Sequence, residues 1–457
     1  MRPIALLRAP LLAALSVAFG ALAVVAGPAG AVEVERVESD RGVVAWLVRD
    51  ETVPVTAIEF TFEEAGAVLD PAGKPGVANM LSGLLDEGAG DLDSQAFQQR
   101  LNDRSISLSF SAGRTDFSGS LYTLNRYRDE AVDLLRLALH EARFDEEPVA
   151  RIRRQIEAGI RREATDPGAL ASEALMKTLF ADHPYGRPVE GTLESVGAIT
   201  AADLKAFQAA GLTRDRLHIG VVGAIAPEAL KPILDAVFAD LPESGPRPDV
   251  PAVEIDGPGG VVVIDQPVPQ STVLFAQRGL PIDHPDYYAA MVLNHMLGGG
   301  SFESTLVQEI RVKRGLAYSV YSFLHPMEKA ALLRGGLATE NARVGESIDL
   351  VRRVFADFQQ DGVAPEKIAD AKTYITGSYP LRFTNTSAIA GQLVAMQRYG
   401  FGIDYIDRRN SYVEAVTEEQ VNRLAAELLT PEALTLVVVG RPDGVAATLP
   451  TPDGVGG

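Results

Sequence analysis

One half of this chain is written twice. Thr200-Ala-Ala-Asp-Leu204 opens an amphipathic helix, Thr213 follows, and an apolar strand runs from Leu217 to Gly223. Thr417-Glu-Glu-Gln-Val421 opens a second such helix, Thr430 follows, and a second strand runs from Leu434 to Gly440. Thr200/Thr417, Thr213/Thr430 and Gly223/Gly440 share one offset of 217 residues. The beginnings match too: Gly42-Val-Val-Ala-Trp-Leu47 resembles Gly260-Val-Val-Val-Ile264, and each leads through a Pro-containing turn to a second strand, Val55 to Phe62 and Thr272 to Ala276. A repeat this long is not a solenoid unit; it has the size of a domain. The chain is therefore constrained to two copies of one fold. The join is Leu241-Pro-Glu-Ser-Gly-Pro-Arg-Pro-Asp-Val-Pro251, whose prolines can continue neither a helix nor a central strand. The expected domains are residues 32–243 and 252–457, with a Pro-rich linker at 244–251.

Within a half, the pattern gives two strands, helices, two more strands, then several helices and a last strand. Ile106 to Phe110 alternates and is followed by Phe117 to Tyr122, as in a half-exposed antiparallel pair. Tyr127 to Glu141 and Pro148 to Glu163 have helical periodicity. Runs of strands separated by runs of helices indicate an α+β class, each half a mostly antiparallel sheet with helices on one face.

Composition narrows the chemistry. There is no cysteine, which removes disulfide scaffolds, Cys-ligated zinc, iron–sulfur clusters and thiol nucleophiles. A formal charge of −19 argues against a nucleic-acid partner, because a phosphate-binding face must be basic. Residues 1–31 read as a secretory signal peptide: Arg2 and Arg8 precede an apolar stretch from Leu11 to Val25, and Ala29-Gly30-Ala31 has the small-residue pattern of a cleavage site. No membrane span is expected after its removal. Export without cysteine suits a bacterial periplasm. The six histidines, at 140, 183, 218, 284, 295 and 325, contain no pair with ligand spacing on one helix, and each reads as a hydrogen-bonded or solvated structural residue. No G-x-S-x-G or P-loop pattern is present. Gly298-Gly-Gly300 reads as a flexible turn before a helix.

Four local signatures carry a family resemblance: Gly76-Val-Ala-Asn-Met-Leu81, His183-Pro-Tyr-Gly-Arg-Pro188, Leu297-Gly-Gly-Gly300 and Arg311-Val-Lys-Arg-Gly-Leu-Ala-Tyr318. With the duplicated α+β organisation, they make the mature chain resemble the M16 (pitrilysin-like, inverzincin) metallopeptidases. The resemblance implies two homologous halves forming a clam-like half-shell. It also implies where a zinc site should lie. Active members carry His-x-x-Glu-His on the first long helix, two His holding the metal and the Glu activating its water, with a further Glu downstream. Here the first His position holds Asn79, the base position Ser82 and the second His position Gly83; the third ligand position aligns with Gly159. A slip of one turn offers Glu157 or Glu163, but a lone carboxylate does not hold zinc. No metal ligand set remains.

The second half keeps what the first has lost. Ser301 is placed to cap a helix running to about Lys313, Gly315 to end it, and Ala317 to Phe323 to form the next strand. That turn can bring Arg311 and Tyr318 to one edge. In the family the matching pair reaches toward the zinc site of an opposing half, holding substrate backbone and developing oxyanion. The resemblance thus implies a non-catalytic subunit, inactive alone and binding no cofactor itself. Its partner would be a zinc-bearing M16 subunit, in a heterodimer or a dimer of heterodimers acting on a peptide or unfolded protein. The alternative is a non-enzymatic structural or peptide-binding protein on the same scaffold.

Overall fold

The computed structural model describes residues 33–255 and 257–455. The signal-peptide expectation for residues 1–31 lies outside the described residues. Among the described residues, eleven strands form two sheets. The first contains β1 (Val34–Glu38), β2 (Val44–Arg49), β3 (Val55–Phe62), β4 (Ser107–Ala112), β5 (Phe117–Leu124) and β6 (Leu217–Gly223), in the order β1-β2-β6-β3-β5-β4. The second contains β7 (Gly260–Asp265), β8 (Gln270–Arg278), β9 (Ala317–Met327), β10 (Ala330–Glu340) and β11 (Thr435–Gly440), in the order β7-β11-β8-β10-β9. Apart from the extra edge strand β1, the two orders are the same. In each sheet one pair is parallel, β2 with β6 and β7 with β11, and the other pairs are antiparallel.

The shared sequence marks have local causes. The Thr200 hydroxyl accepts the Asp203 amide at 3.3 Å and the Thr417 hydroxyl the Gln420 amide at 3.2 Å, so both repeated threonines cap helices through reciprocal boxes. Gly223 and Gly440 close equivalent strands at φ 151° and 150°. A Cβ there would lie 2.3 Å from the Val55 carbonyl oxygen and 2.2 Å from the Ser271 hydroxyl, so only glycine fits.

A sheet buried on both faces needs cover on both. Each half covers one face of its own sheet. In the first, Phe60, Phe62, Phe117, Leu121, Ile219 and Val221 pack beneath helices such as Arg128–His140 and Pro227–Phe238. In the second, Val273, Phe275, Leu333, Leu436 and Val438 lie beneath Val344–Asp361 and Glu418–Leu428. The opposite faces are covered by exchange. The helix Pro167–Phe180 from the first half sets Leu170, Ala171, Ala174 and Leu175 against Val262, Ile264, Ala276, Val437 and Val439 of the second sheet. The helix Thr386–Arg398 from the second half crosses β6 and β3 of the first. There the Gln397 amide donates to the Ile219 carbonyl at 2.8 Å, and a Cβ on Gly220 would come within 2.3 Å of the Ala390 carbonyl oxygen. Gly220 is small because a helix backbone lies on it.

Two glycine substitutions should therefore have opposite signs. Gly220→Ala forces the exchanged helix off its sheet and should destabilise the chain by about 1–3 kcal/mol, the usual cost of overpacking. Gly159 lies inside the helix Glu146–Glu163, with no atom within 4 Å of an added Cβ. Gly159→Ala should stabilise by about 0.5–1 kcal/mol. Urea denaturation of both variants beside the parent chain checks the pair.

Candidate functional site

In the first half, the segment matched to the zinc motif is a short helix, Val77–Ser82, not a long one. Its start is fixed by Asp70, whose carboxylate accepts the Gly76 amide at 2.6 Å and the Ala78 amide at 2.8 Å. Its end is Gly83, whose amide turns back to the Asn79 carbonyl. The buried Ser82 hydroxyl donates to that same carbonyl at 2.8 Å, so the residue in the base position is bound to its own helix. A Cβ at Gly83 would sit 3.2 Å from Ile152 on the helix Glu146–Glu163 that carries Gly159. Glu157 pairs with Arg161 one turn along. Asn79, Ser82, Gly83 and Gly159 offer a weak amide, a satisfied hydroxyl and two hydrogen atoms. They do not fit zinc, and among the described residues no three His, Asp or Glu converge as a metal site.

The histidines are separate structural parts. His183 Nδ1 accepts the Tyr185 amide at 3.1 Å, which leaves Nε2–H to donate to the Pro251 carbonyl at 2.9 Å. His140 reaches the Val237 carbonyl and His218 the Glu63 carboxylate. The His183-Pro-Tyr-Gly signature is accordingly a staple between halves. Tyr185 is buried, its hydroxyl accepts the Lys329 amide at 3.2 Å, and Arg114 donates to the Tyr185 and Arg187 carbonyls.

In the second half, the expected helix from Ser301 to Lys313 is replaced. The helix Tyr287–Asn294 runs into a π-turn, His295–Gly299. Ser301 has φ 52° and opens a 3-10 turn, Ser301–Glu303, instead of capping a helix. A second π-helical segment, Val307–Val312, follows. The triple glycine is not a flexible turn. An added Cβ at Gly298 would meet the Ser322 hydroxyl at 2.5 Å and its amide nitrogen at 2.7 Å, so this turn packs directly on β9. Gly315, at φ 60°, does end the segment, its amide bonding the Arg311 carbonyl. π-turns change the angle at which a side chain leaves its helix and recur at functional sites.

Arg311 and Tyr318 meet. The guanidinium carbon lies 4.6 Å from the centre of the Tyr318 ring and 4.6 Å from that of Phe302, so the cation is held between two aromatic faces. Tyr318 is 84% exposed and Phe302 53%. Neighbouring Lys313 and Arg314 both pair with Glu309. Arg311 has no ion pair or hydrogen bond among the described residues. Its donors are free above a cavity of about 440 Å³ lined by Gly298, Phe302, Val307, Tyr321 and Phe323. Phe302 has little mark in the sequence beyond its place two residues after three glycines.

Arg398 likewise has little mark in the sequence. Its side chain is only 10% exposed and ties the exchanged helix to the first sheet, through Asp116 at 3.1 Å and Glu63 at 3.1 Å, and to Glu328 at 2.9 Å. Burial works against its charge, yet the three carboxylates hold its pKa above the ordinary arginine value.

Residues 198–375 match the family model described as "Peptidase M16 inactive domain". The chain is 26% identical over 394 residues to "Non-peptidase homolog YmxG" of Helicobacter pylori, covering 85% of this chain and 89% of that protein. It is 24% identical over 418 residues to "Probable mitochondrial-processing peptidase subunit beta" of Schizosaccharomyces pombe, covering 85% and 88%. The crystal structure of a peptidase M16 inactive domain from Pseudomonas fluorescens superposes with a TM-score of 0.83 at 29% identity, covering 92% of this chain and all of the other.

Asp70 makes the altered motif measurable. Burial pushes its carboxyl up to about 6 against the pull of the two amides. The folded state thus binds this proton more tightly than the unfolded state does. Its contribution to stability is full below the unfolded value near 4 and is lost as pH rises through about 6. A shift of about two units corresponds to roughly 3 kcal/mol. Asp70→Asn should remove this slope, so the stability difference between parent and variant should change in the parent's disfavour from pH 4 to pH 7. Denaturation at a series of pH values checks it.

Proposed function

The chain belongs to the M16 family, and we propose that it is the non-catalytic subunit of a heteromeric M16 zinc endopeptidase. The observation that carries this reading is the Arg311 guanidinium, gripped by two exposed rings and otherwise unpaired. An arginine in such a setting is oriented but unsatisfied, ready for a carbonyl or carboxylate from outside. Asn79, Ser82, Gly83 and Gly159 supply neither metal ligands nor a base, so the partner chain must bring the zinc. This chain brings hydrogen-bond donors. Tyr318 donates to the oxygen on which charge develops during peptide hydrolysis, and Arg311 holds an adjacent peptide carbonyl.

The similarity over most of the chain to a relative named a probable processing-peptidase subunit beta supports a subunit role. The relative named a non-peptidase homolog supports inactivity of the isolated chain and is equally compatible with a purely structural or peptide-binding protein. The expected compartment is the periplasm. No helix among the described residues is long and apolar enough to cross a membrane.

Co-expression with a tagged, zinc-bearing M16 chain should recover the two in a 1:1 ratio, as a heterodimer or a dimer of heterodimers. The isolated chain should retain no stoichiometric zinc after dialysis against trace metal, by elemental analysis. In the reconstituted pair, Tyr318→Phe should lower turnover on a fluorogenic peptide by about a hundred- to a thousandfold, the typical effect of deleting an oxyanion donor. Zinc content and assembly should not change. Arg311→Ala should also raise KM, and Arg311→Lys should rescue little because an ammonium lacks the planar fork. Parental rates from the double variant, with assembly intact, would overturn the site assignment. A chain that stays monomeric beside its zinc-bearing sibling would favour the structural reading.

A further inference from the structure

A second arginine lacks an anion, and it is buried. Arg409, in the helix Tyr405–Glu414, is only 4% exposed. It donates to the Ile375 carbonyl at 3.0 Å, the Asn410 amide oxygen at 3.1 Å and the Met291 sulfur at 3.2 Å, and it lies 4.5 Å from the centre of the Tyr379 ring. These contacts fix the guanidinium, but none carries a negative charge. Arg398, also strongly buried, faces three carboxylates instead. A desolvated cation without a counter-charge is costly. Burial accordingly lowers the Arg409 pKa, and Arg382, a like charge, lowers it further.

The two guanidiniums line one cavity of about 360 Å³. Its walls include Tyr287, Tyr379, Tyr399 and Phe401. Both arginines act electrostatically on both Tyr287 and Tyr379, which places the four groups around one space. Burial pushes each of these phenols up to about 12, so both keep their protons at neutral pH and can donate. Neither phenol has a hydrogen-bond partner among the described residues. Asp407 acts on Tyr379 from nearby, but it does not line the cavity. The volume is at the small end of the range of about 300–1,000 Å³ for ligand sites. It suits one amino-acid-sized body, and the aromatic walls favour a flat ring.

We infer that this cavity binds an aromatic carboxylate, the anion between Arg409 and Arg382 and the ring against Tyr287, Tyr379 and Phe401. Two sources share that chemistry: a free aromatic acid of amino-acid size, and the C-terminal residue of a peptide ending in an aromatic side chain. The cavity is separate from the one under Arg311. Asn294 lines the first, Ser322 lines the second, and these two residues are hydrogen-bonded to each other at 2.8 Å between them. The inference does not rest on the subunit reading, and its test uses the chain alone.

The probes are N-acetyl-phenylalanine, the peptide N-acetyl-Ala-Ala-Ala-Phe, and the C-terminal amide of each, titrated calorimetrically. At least one free acid should bind, and its amide should bind at least about tenfold more weakly, since a hydrogen-bonded charge is lost. Binding by the peptide alone identifies a peptide C-terminus as the source; binding by the small acid alone identifies a free acid. Arg409→Gln removes the central contact but risks the fold. Arg382→Gln changes an exposed residue, leaves the fold intact, and should weaken the acid about tenfold with no effect on the amide. Ala395→Phe, from the exchanged helix into the cavity, should abolish binding of both. Equal affinity for acid and amide, an unchanged affinity in Arg382→Gln, or no binding of any probe at millimolar concentration would each overturn the inference.

Discussion

The two-faced burial of both sheets governs this molecule. A half that covers only one face of its own sheet leaves the other apolar. Val262, Ile264, Val437 and Val439 on one side, and the backbone at Gly220 on the other, are cover sites that a helix of the opposite half fills. Each exchanged helix is therefore part of its neighbour's core. Burial of one apolar side chain is worth roughly 1.5–3 kcal/mol, and the helix Pro167–Phe180 alone contributes Leu170 and Leu175 to the foreign sheet. The consequence is functional. A cavity in the second half, such as the one beneath Arg382 and Arg409, is partly walled by the helix Thr386–Arg398, which is itself anchored in the first half. Its geometry is fixed from both ends of the chain.

Charge completes what packing begins. Arg398 reaches Asp116 and Glu63 across separations of 282 and 335 residues. Leaving any of these groups without its partner would strand a charge in a place with little water, which is strongly unfavourable. The network therefore does more to hold a unique docking than to add net stability. The His183–Pro251 and Tyr185–Lys329 bonds serve the same docking from the other side.

The sequence made the repeat legible because its marks have strictly local causes: capping threonines, strand-ending glycines, and alternating apolar runs. The α+β class and the matching of the halves followed from those marks; the strand order, with its one parallel pair in each sheet, did not. The exchange was not legible. Pro167–Phe180 is an ordinary helix by composition, and nothing in it states whose sheet it covers. The π-turns were invisible for a similar reason, since the same residues satisfy an i+4 or an i+5 bond and the close packing of Gly298 on Ser322 lies far away in sequence. The positions matched to the zinc motif were read from side-chain chemistry alone: glycine has no side-chain donor, and the neutral amide of asparagine is a poor zinc ligand. Arg311 and Tyr318 were legible as a pair through one short turn, whereas Phe302 reaches the same guanidinium from a segment whose backbone, with Ser301 at positive φ, no simple pattern describes.

Arg311 and Arg409, each without a carboxylate partner among the described residues, show how burial divides one chemistry into two uses. Arg311 is held by exposed rings, so its charge remains solvated and costs little while empty; such a group suits a transient contact with a passing peptide backbone. Arg409 is enclosed, and the groups that hold it carry no negative charge, which leaves its buried cation without a counter-charge. An anion entering that cavity gains what the folded chain lacks, and the surrounding phenols restrict which anion can do so. In the first half Lys74 is taken by Asp203 and Arg151 by Glu87, while the buried Arg114 is held by two backbone carbonyls. Duplication supplied two equal frames, and the halves have diverged in which charges they leave unanswered.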